Sequence, residues 1–154
     1  YALSCITAQA MRMERIERNG VIFINDTYNA NPLSMKAAAE VLKHTVAPQG
    51  GRKIAVLGDM LELGRESDKA HHDVGKMFGT MELDILCLVG KNAELYAEGA
   101  WEGGLNPDAV LMYKQVNDAL TFTENDLIEG DVVLVKGSRA LGMEKIVAGF
   151  SGEF

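Results

Sequence analysis

Four apolar runs in this chain stop on small or polar residues: Asn25-Asp26, Gly58-Asp59, Gly90-Lys91 and Lys136-Gly137-Ser138-Arg139. These residue types can recognise a ligand. A carboxylate accepts hydrogen bonds from hydroxyl groups, a guanidinium presents a planar fork to carboxylate or phosphate oxygens, and an ammonium adds a compact positive charge. The Lys136–Arg139 run is the densest of the four, with two cations, a hydroxyl and a glycine that permits close backbone approach. That set suits an anionic ligand. It also suits a purely structural use, in which Ser138 caps a following helix and the two cations balance acids such as Asp131 and Glu144. Glycine and polar residues commonly do no more than punctuate strand-to-helix turns.

The remaining reactive side chains point away from self-contained chemistry. Gly90-Lys91 superficially matches the end of a phosphate loop, but the pattern requires glycine where Ile85 stands and a hydroxyl where Asn92 stands. Without them the nest of backbone amides and the magnesium ligand are both missing. No G-x-G-x-x-G follows any apolar run. His71 and His72 are adjacent, so on a helix they diverge by about 100° and make a poor chelate. They are expected to be solvated or capping histidines, and no metal site is expected. Cys5 and Cys87 form no C-x-x-C pair and are expected to be reduced, buried small residues. Trp101, beside Gly103-Gly104, is expected to pack at a helix end.

The polar stops need elements to hold them. Residues 13–18 alternate apolar and charged, Asn19-Gly20 interrupts, and 21–25 is β-branched and aromatic, which is a hairpin with a two-residue turn. Asn31-Pro32 opens a helix whose apolar positions Met35, Ala38, Ala39, Leu42 and Val46 recur at helical spacing before Pro48. The rest alternates: strands at 53–57, 84–89, 109–112 and 131–135, with helices near 67–78, 92–100, 115–125 and 141–149. Continuous apolar strands such as IAVL, ILCLV and VVLV belong in a parallel sheet covered on both faces. The expected fold is α/β: a Rossmann-like, doubly wound, mostly parallel sheet with an antiparallel hairpin at one edge. Ligands of such sheets bind outside the carboxyl ends of the strands.

Composition sets the outer bounds. At 154 residues, 47% hydrophobic and 24% charged, the chain fits one globular domain. Its net charge of -7 would repel a phosphate backbone, so no nucleic acid partner is expected. The apolar runs are strand-sized, and no basic-then-apolar leader is visible, so no membrane insertion and a cytoplasmic location are expected.

Several segments stand out together and in order: Arg12-Met13-Glu14, NDTYNANP over 25–32, GDMLELG over 58–64, His71-x-x-Val74-Gly75, and KGSR over 136–139 followed by Met143-Glu144. In this order they resemble the carboxyl-terminal domain of the Mur ligases over about Arg12 to Phe150. The stretch Tyr28–Pro32 with KGSR is most similar to the branch that adds D-alanyl-D-alanine to UDP-N-acetylmuramoyl-tripeptide. Residues 1–11 then look like the end of a preceding domain and linker, 12–150 the ligase domain and 151–154 a tail. The resemblance implies a three-domain ATP-dependent enzyme with Mg2+, whose amino-terminal and central domains supply the UDP-sugar site and the phosphate loop. ATP phosphorylates the tripeptide carboxylate, and the acceptor amine attacks the acyl phosphate to form an amide.

By the same resemblance Arg12 contacts ATP phosphate and Asp26 helps to hold the nucleotide; otherwise they would be a linker charge and a turn residue. Asn29 and Asn31 would orient the incoming dipeptide, although Asn31 is also an ideal helix cap. Lys136, Ser138 and Arg139 would receive the dipeptide carboxylate. Asp59 and Glu62 are expected to serve structure or domain contact rather than catalysis, and no residue is assigned as the catalytic base. The isolated domain is expected to be inactive. Two other readings remain: a sister ligase such as folylpolyglutamate synthase, and a non-catalytic binding module, for which Asp59 alone does not supply a receiver's acidic cluster.

Overall fold

The structure, a computed structural model, describes residues 11–152. It contains strands β1 (Glu14–Arg18), β2 (Val21–Asp26), β3 (Lys53–Gly58), β4 (Ile85–Val89), β5 (Val110–Tyr113) and β6 (Val132–Lys136). The helices are α1 (Pro32–His44), α2 (Ser67–Gly79), α3 (Ala93–Glu102), α4 (Val116–Asn125) and the short α5 (Glu144–Ala148). One six-stranded sheet results, in the order β1-β2-β6-β3-β4-β5, with β1 antiparallel to β2 and every other pair parallel. The expected fold class is therefore the one found. Cys5 and the proposed linker lie almost entirely outside the described residues.

Local chemistry accounts for the elements. Asn19 and Gly20 both take positive φ, 48° and 80°, which a primed two-residue turn requires, so the β1–β2 register is fixed at Arg18 opposite Val21. Asn31 opens α1: its side-chain oxygen accepts from the Ser34 N–H at 2.8 Å, while the Ser34 hydroxyl accepts from the Asn31 N–H at 3.0 Å. This reciprocal pair satisfies two otherwise orphaned amides. The helix ends at His44, earlier than expected, because the Thr45 hydroxyl and N–H both turn back on Val41 O. Val46 is consequently not on the buried face but 85% exposed beyond the helix. The final helix is also shorter than expected, replaced at its start by a 3-10 turn at Arg139–Leu141.

Right-handed crossovers dictate the layers. The chain steps one way along the sheet from β2 to β3, β4 and β5, placing α1, α2 and α3 on one face, where Met35, Leu42, Phe78, Tyr96 and Ala97 meet Ile24, Leu57 and Leu88. It then doubles back from β5 to β6, which puts α4 and α5 on the opposite face, with Phe122, Ile146 and Phe150 against Phe23, Val56 and Val135. The two cores follow the period-two alternation of each strand. At the amino ends of the strands, Arg52 locks β3 to β6: its Nε and Nη2 donate to the two Asp131 oxygens at 3.0 and 2.8 Å. Asp131 is fully buried and also accepts from the Ile128 N–H.

On the first face, α2 and α3 touch backbone to backbone. A Cβ on Gly75 would lie 2.0 Å from Tyr96 O, one on Gly79 2.3 Å from Ala100 O, and one on Gly99 2.0 Å from His72 O. Only glycine permits this approach. His71, expected to be solvated or capping, is instead fully buried beside this contact, edge-on to Tyr96 at 4.8 Å.

A candidate ligand site at the switch of the sheet

The reversal between the outward steps and the return to β6 leaves β6 inserted between β2 and β3, with flanking helices departing to opposite faces. Crevices for ligands form at such switch points, at the carboxyl ends of the strands. Asp26, Gly58 and Lys136 are the last residues of β2, β3 and β6, so the apolar runs do open on one edge.

Asp26 and Lys136 are register partners across β2 and β6. Lys136 is 1% exposed, and its Nζ donates to Asp26 Oδ2 at 2.7 Å and to the Asn29 carbonyl at 2.9 Å. The other Asp26 oxygen accepts from the Met13 N–H at 3.1 Å. Lys136 was expected to face the ligand; the structure buries it in an ion pair instead. Arg12 is exposed, and its guanidinium lies 4.3 Å from the centre of the Tyr28 ring, a cation–π contact that leaves its N–H edges available. Tyr28 was not singled out from the sequence as a functional residue; the signal was an aromatic two residues past the end of β2, the strand paired with the β1 that Arg12 precedes.

Asn29 is exposed, while Asn31 spends its side-chain oxygen on the cap of α1. Ser138 makes no side-chain cap. Its hydroxyl accepts from the Leu61 N–H at 2.8 Å and its own N–H donates to Asp59 O at 3.0 Å, strapping the 136–139 loop to the loop after β3. Arg139 is exposed and pairs with Glu144 at 3.0 Å, one of the structural partners considered from sequence; Asp131 pairs with Arg52 instead.

The loop after β3 is held by successive residues. The Asp59 carboxylate accepts from the N–H groups of Lys91 and Asn92, the Met60 N–H donates to His71 Nε2 at 3.0 Å, and the Leu61 N–H reaches Ser138. His71 Nδ1 meets the Ser67 carbonyl at 2.7 Å, which makes Nδ1 the protonated nitrogen and leaves Nε2 as acceptor. Asp59 is thus structural, as expected.

Two clefts result. One, of about 290 Å³, is lined by Arg12, Asp26, Tyr28, Asn29, Asn31 and Lys136 among others. The second, of about 320 Å³, is lined by Asn29, Leu61, Glu62, Ser138, Arg139 and Ala140. Asn29 is common to both. All seven residues singled out from sequence therefore line one of two adjoining clefts. A larger cleft of about 450 Å³ lies at the β4–β5 edge, lined by Gly90, Lys91, Tyr113 and Lys114, and contains none of them. Among the described residues no group of three or more His, Cys, Asp or Glu side chains converges, and no helix is long and apolar enough to cross a membrane.

The chain is a doubly wound α/β domain whose switch point gathers exposed cations, amides and a buried carboxylate, groups whose chemistry suits an anionic small molecule. Residues 11–139 match the family described as "Mur ligase, glutamate ligase domain", and the chain belongs to that family. It is 37% identical over 147 residues to the UDP-N-acetylmuramoyl-tripeptide--D-alanyl-D-alanine ligase of Bacillus subtilis (strain 168), covering 94% of this chain and 31% of the relative. Among solved structures it resembles MurF from Acinetobacter baumannii, with a TM-score of 0.79, 35% identity, and coverage of 92% of this chain and 30% of that one. MurF from Thermotoga maritima, solved in complex with ADP, superposes with a TM-score of 0.72 at 28% identity, covering 92% of this chain and 30% of that one. The chain spans about a third of the length of these relatives.

Proposed function

We propose that this chain acts as the carboxyl-terminal, closing domain of an ATP-dependent ligase that joins D-alanyl-D-alanine to UDP-N-acetylmuramoyl-tripeptide in the cytoplasm. The observation that carries the reading is the pair of adjoining clefts meeting at Asn29, in a chain similar over most of its length to ligases named for that reaction. In the proposed reaction the terminal phosphoryl group of ATP passes to the tripeptide carboxylate and ADP departs. The dipeptide amine then attacks the acyl carbon, phosphate leaves, and the amine gives up a proton.

Each cleft fits one part of this. In the first, Arg12 offers a guanidinium fork to phosphate oxygens, and Asp26 keeps lone pairs for ribose hydroxyls beyond its two present bonds. These residues fit the edge of a nucleotide rather than a whole triphosphate cradle, so the phosphate loop and Mg2+ are assigned to a central domain outside residues 12–150. In the second, Arg139 supplies the charge for a dipeptide carboxylate and Ser138 keeps its hydroxyl proton for donation, while Asn29, shared by both clefts, and Asn31, on the first, flank the approach of the amine.

The test is turnover by the complete ligase, with ATP and UDP-N-acetylmuramoyl-tripeptide, against D-alanyl-D-alanine, single L-amino acids and glutamate. Preferred use of the dipeptide is expected. Preferred use of glutamate or another single amino acid would transfer the chain to a sister branch.

A further inference from the structure

We infer that Lys136 is a positioning residue that sets the nucleotide-side and acceptor-side clefts relative to one another, rather than a ligand for either substrate. This rests on the two-cleft reading above. Lys136 has almost no surface, and its ammonium donates to the Asp26 carboxylate at 2.7 Å and to the Asn29 carbonyl at 2.9 Å. Asp26 lines the first cleft, and Asn29 lines both. One buried cation therefore fixes a nucleotide-side group and the backbone of the residue where the clefts adjoin.

The geometry leaves little slack. Lys136 leaves β6 opposite Asp26 in register, so the pair closes across neighbouring strands. From Lys136 the chain continues through Gly137 to Ser138, which is tied to Asp59 and Leu61. The backbone around Lys136 is thus held from the acceptor side while its ammonium is held from the nucleotide side. A buried ion pair of this kind is weak evidence for stability but well suited to specifying one arrangement, since breaking it strands a charge away from water. Moving Asn29 by even 1 Å would displace both clefts, and misplacements of that size are costly when two reactants must be aligned.

Lys136→Met in the complete ligase is the first test, read as separate KM values for ATP and for D-alanyl-D-alanine together with the thermal midpoint. Both KM values are expected to rise by about tenfold or more. Because Met strands the Asp26 charge, the double variant Asp26→Asn/Lys136→Met is made alongside. It removes the pair without leaving a lone ion; with Asp26→Asn as the other single variant, its effect on the KM for D-alanyl-D-alanine is expected to fall well short of the product of the two single-variant effects, since on that side both act through one contact. A rise confined to the dipeptide KM would make Lys136 a carboxylate ligand and overturn the inference. A rise confined to ATP would sever the Asn29 arm and overturn it too. So would a lowered thermal midpoint with both KM values unchanged, or failure of both variants to fold, either of which marks the pair as a folding determinant. If the unaltered ligase rejects D-alanyl-D-alanine, the proposed function fails, and the same comparison is made with the amine it does accept.

Discussion

Arg12 and Arg139 are both exposed cations in the two clefts, yet they are held differently, one over an aromatic ring and one against a carboxylate. Their substitutions should separate accordingly. Arg12→Ala in the complete ligase is expected to slow acyl-phosphate formation by roughly 10- to 150-fold, the effect of losing a charge-assisted hydrogen bond of about 1.5–3 kcal/mol; an unchanged single-turnover rate would remove it from the nucleotide site. Arg139→Ala should raise the KM for the dipeptide with little change for ATP, and a drop in stability without a kinetic effect would reduce it to the partner of Glu144. Cys87 gives a prediction independent of ligands. Burial pushes its thiol from an ordinary value of 9.0 up to about 12, so the folded state retains a proton that the unfolded chain releases. The resulting stability is fully present below about pH 9 and is lost as pH rises toward 12, at up to about 1.4 kcal/mol per pH unit for one group. Denaturant titrations across that window should show a shallower decline for Cys87→Ala than for the unaltered chain.

At the scale of elements, the contact between α2 and α3 reverses an ordinary rule. Alanine normally stabilises a helix over glycine by up to about 1 kcal/mol, but at Gly75 or Gly99 the added methyl would meet a carbonyl oxygen at 2.0 Å. Gly75→Ala is therefore expected to lower stability by about 1–3 kcal/mol or more, measured by denaturant unfolding; a neutral or stabilising result would mean that the helices part easily. This contact was not legible in the sequence, because glycine within a helix carries no sign of what approaches it. His71 was misread for a related reason: its partners, the Met60 N–H and the Tyr96 ring, come from other elements. The strands, the Asn19-Gly20 turn and the start of α1 at Asn31 were legible, since each depends on neighbours within a few residues. So was the strand edge where the candidate residues gather. The fate of Lys136 was not, because its partner lies 110 positions away and only the β2–β6 register brings them together.

For the whole molecule, the clefts are open on the outside and supply binding groups without a phosphate cradle, so this chain alone is expected to fold yet show no sustained ATP hydrolysis. A coupled assay on the purified chain checks this, and activity that follows the chain through purification would contradict it. The strand order carries another implication, for the order of events during synthesis. β6 occupies the slot between β2 and β3, although more than 70 residues separate it from the end of β3. Until Val132–Lys136 leaves the ribosome, the hairpin on one side and β3–β5 on the other have no strand to join them, and each exposes an unpaired edge. Forming this sheet thus requires closing the longest loop last, a late and slow event compared with local helix or hairpin formation. Both clefts come into being at that same moment, since their floor is the end of the strand that arrives last. A nascent chain stalled before Asp131 should be cleaved readily by protease along its whole length, whereas one stalled with Phe150 just clear of the exit tunnel should already resist.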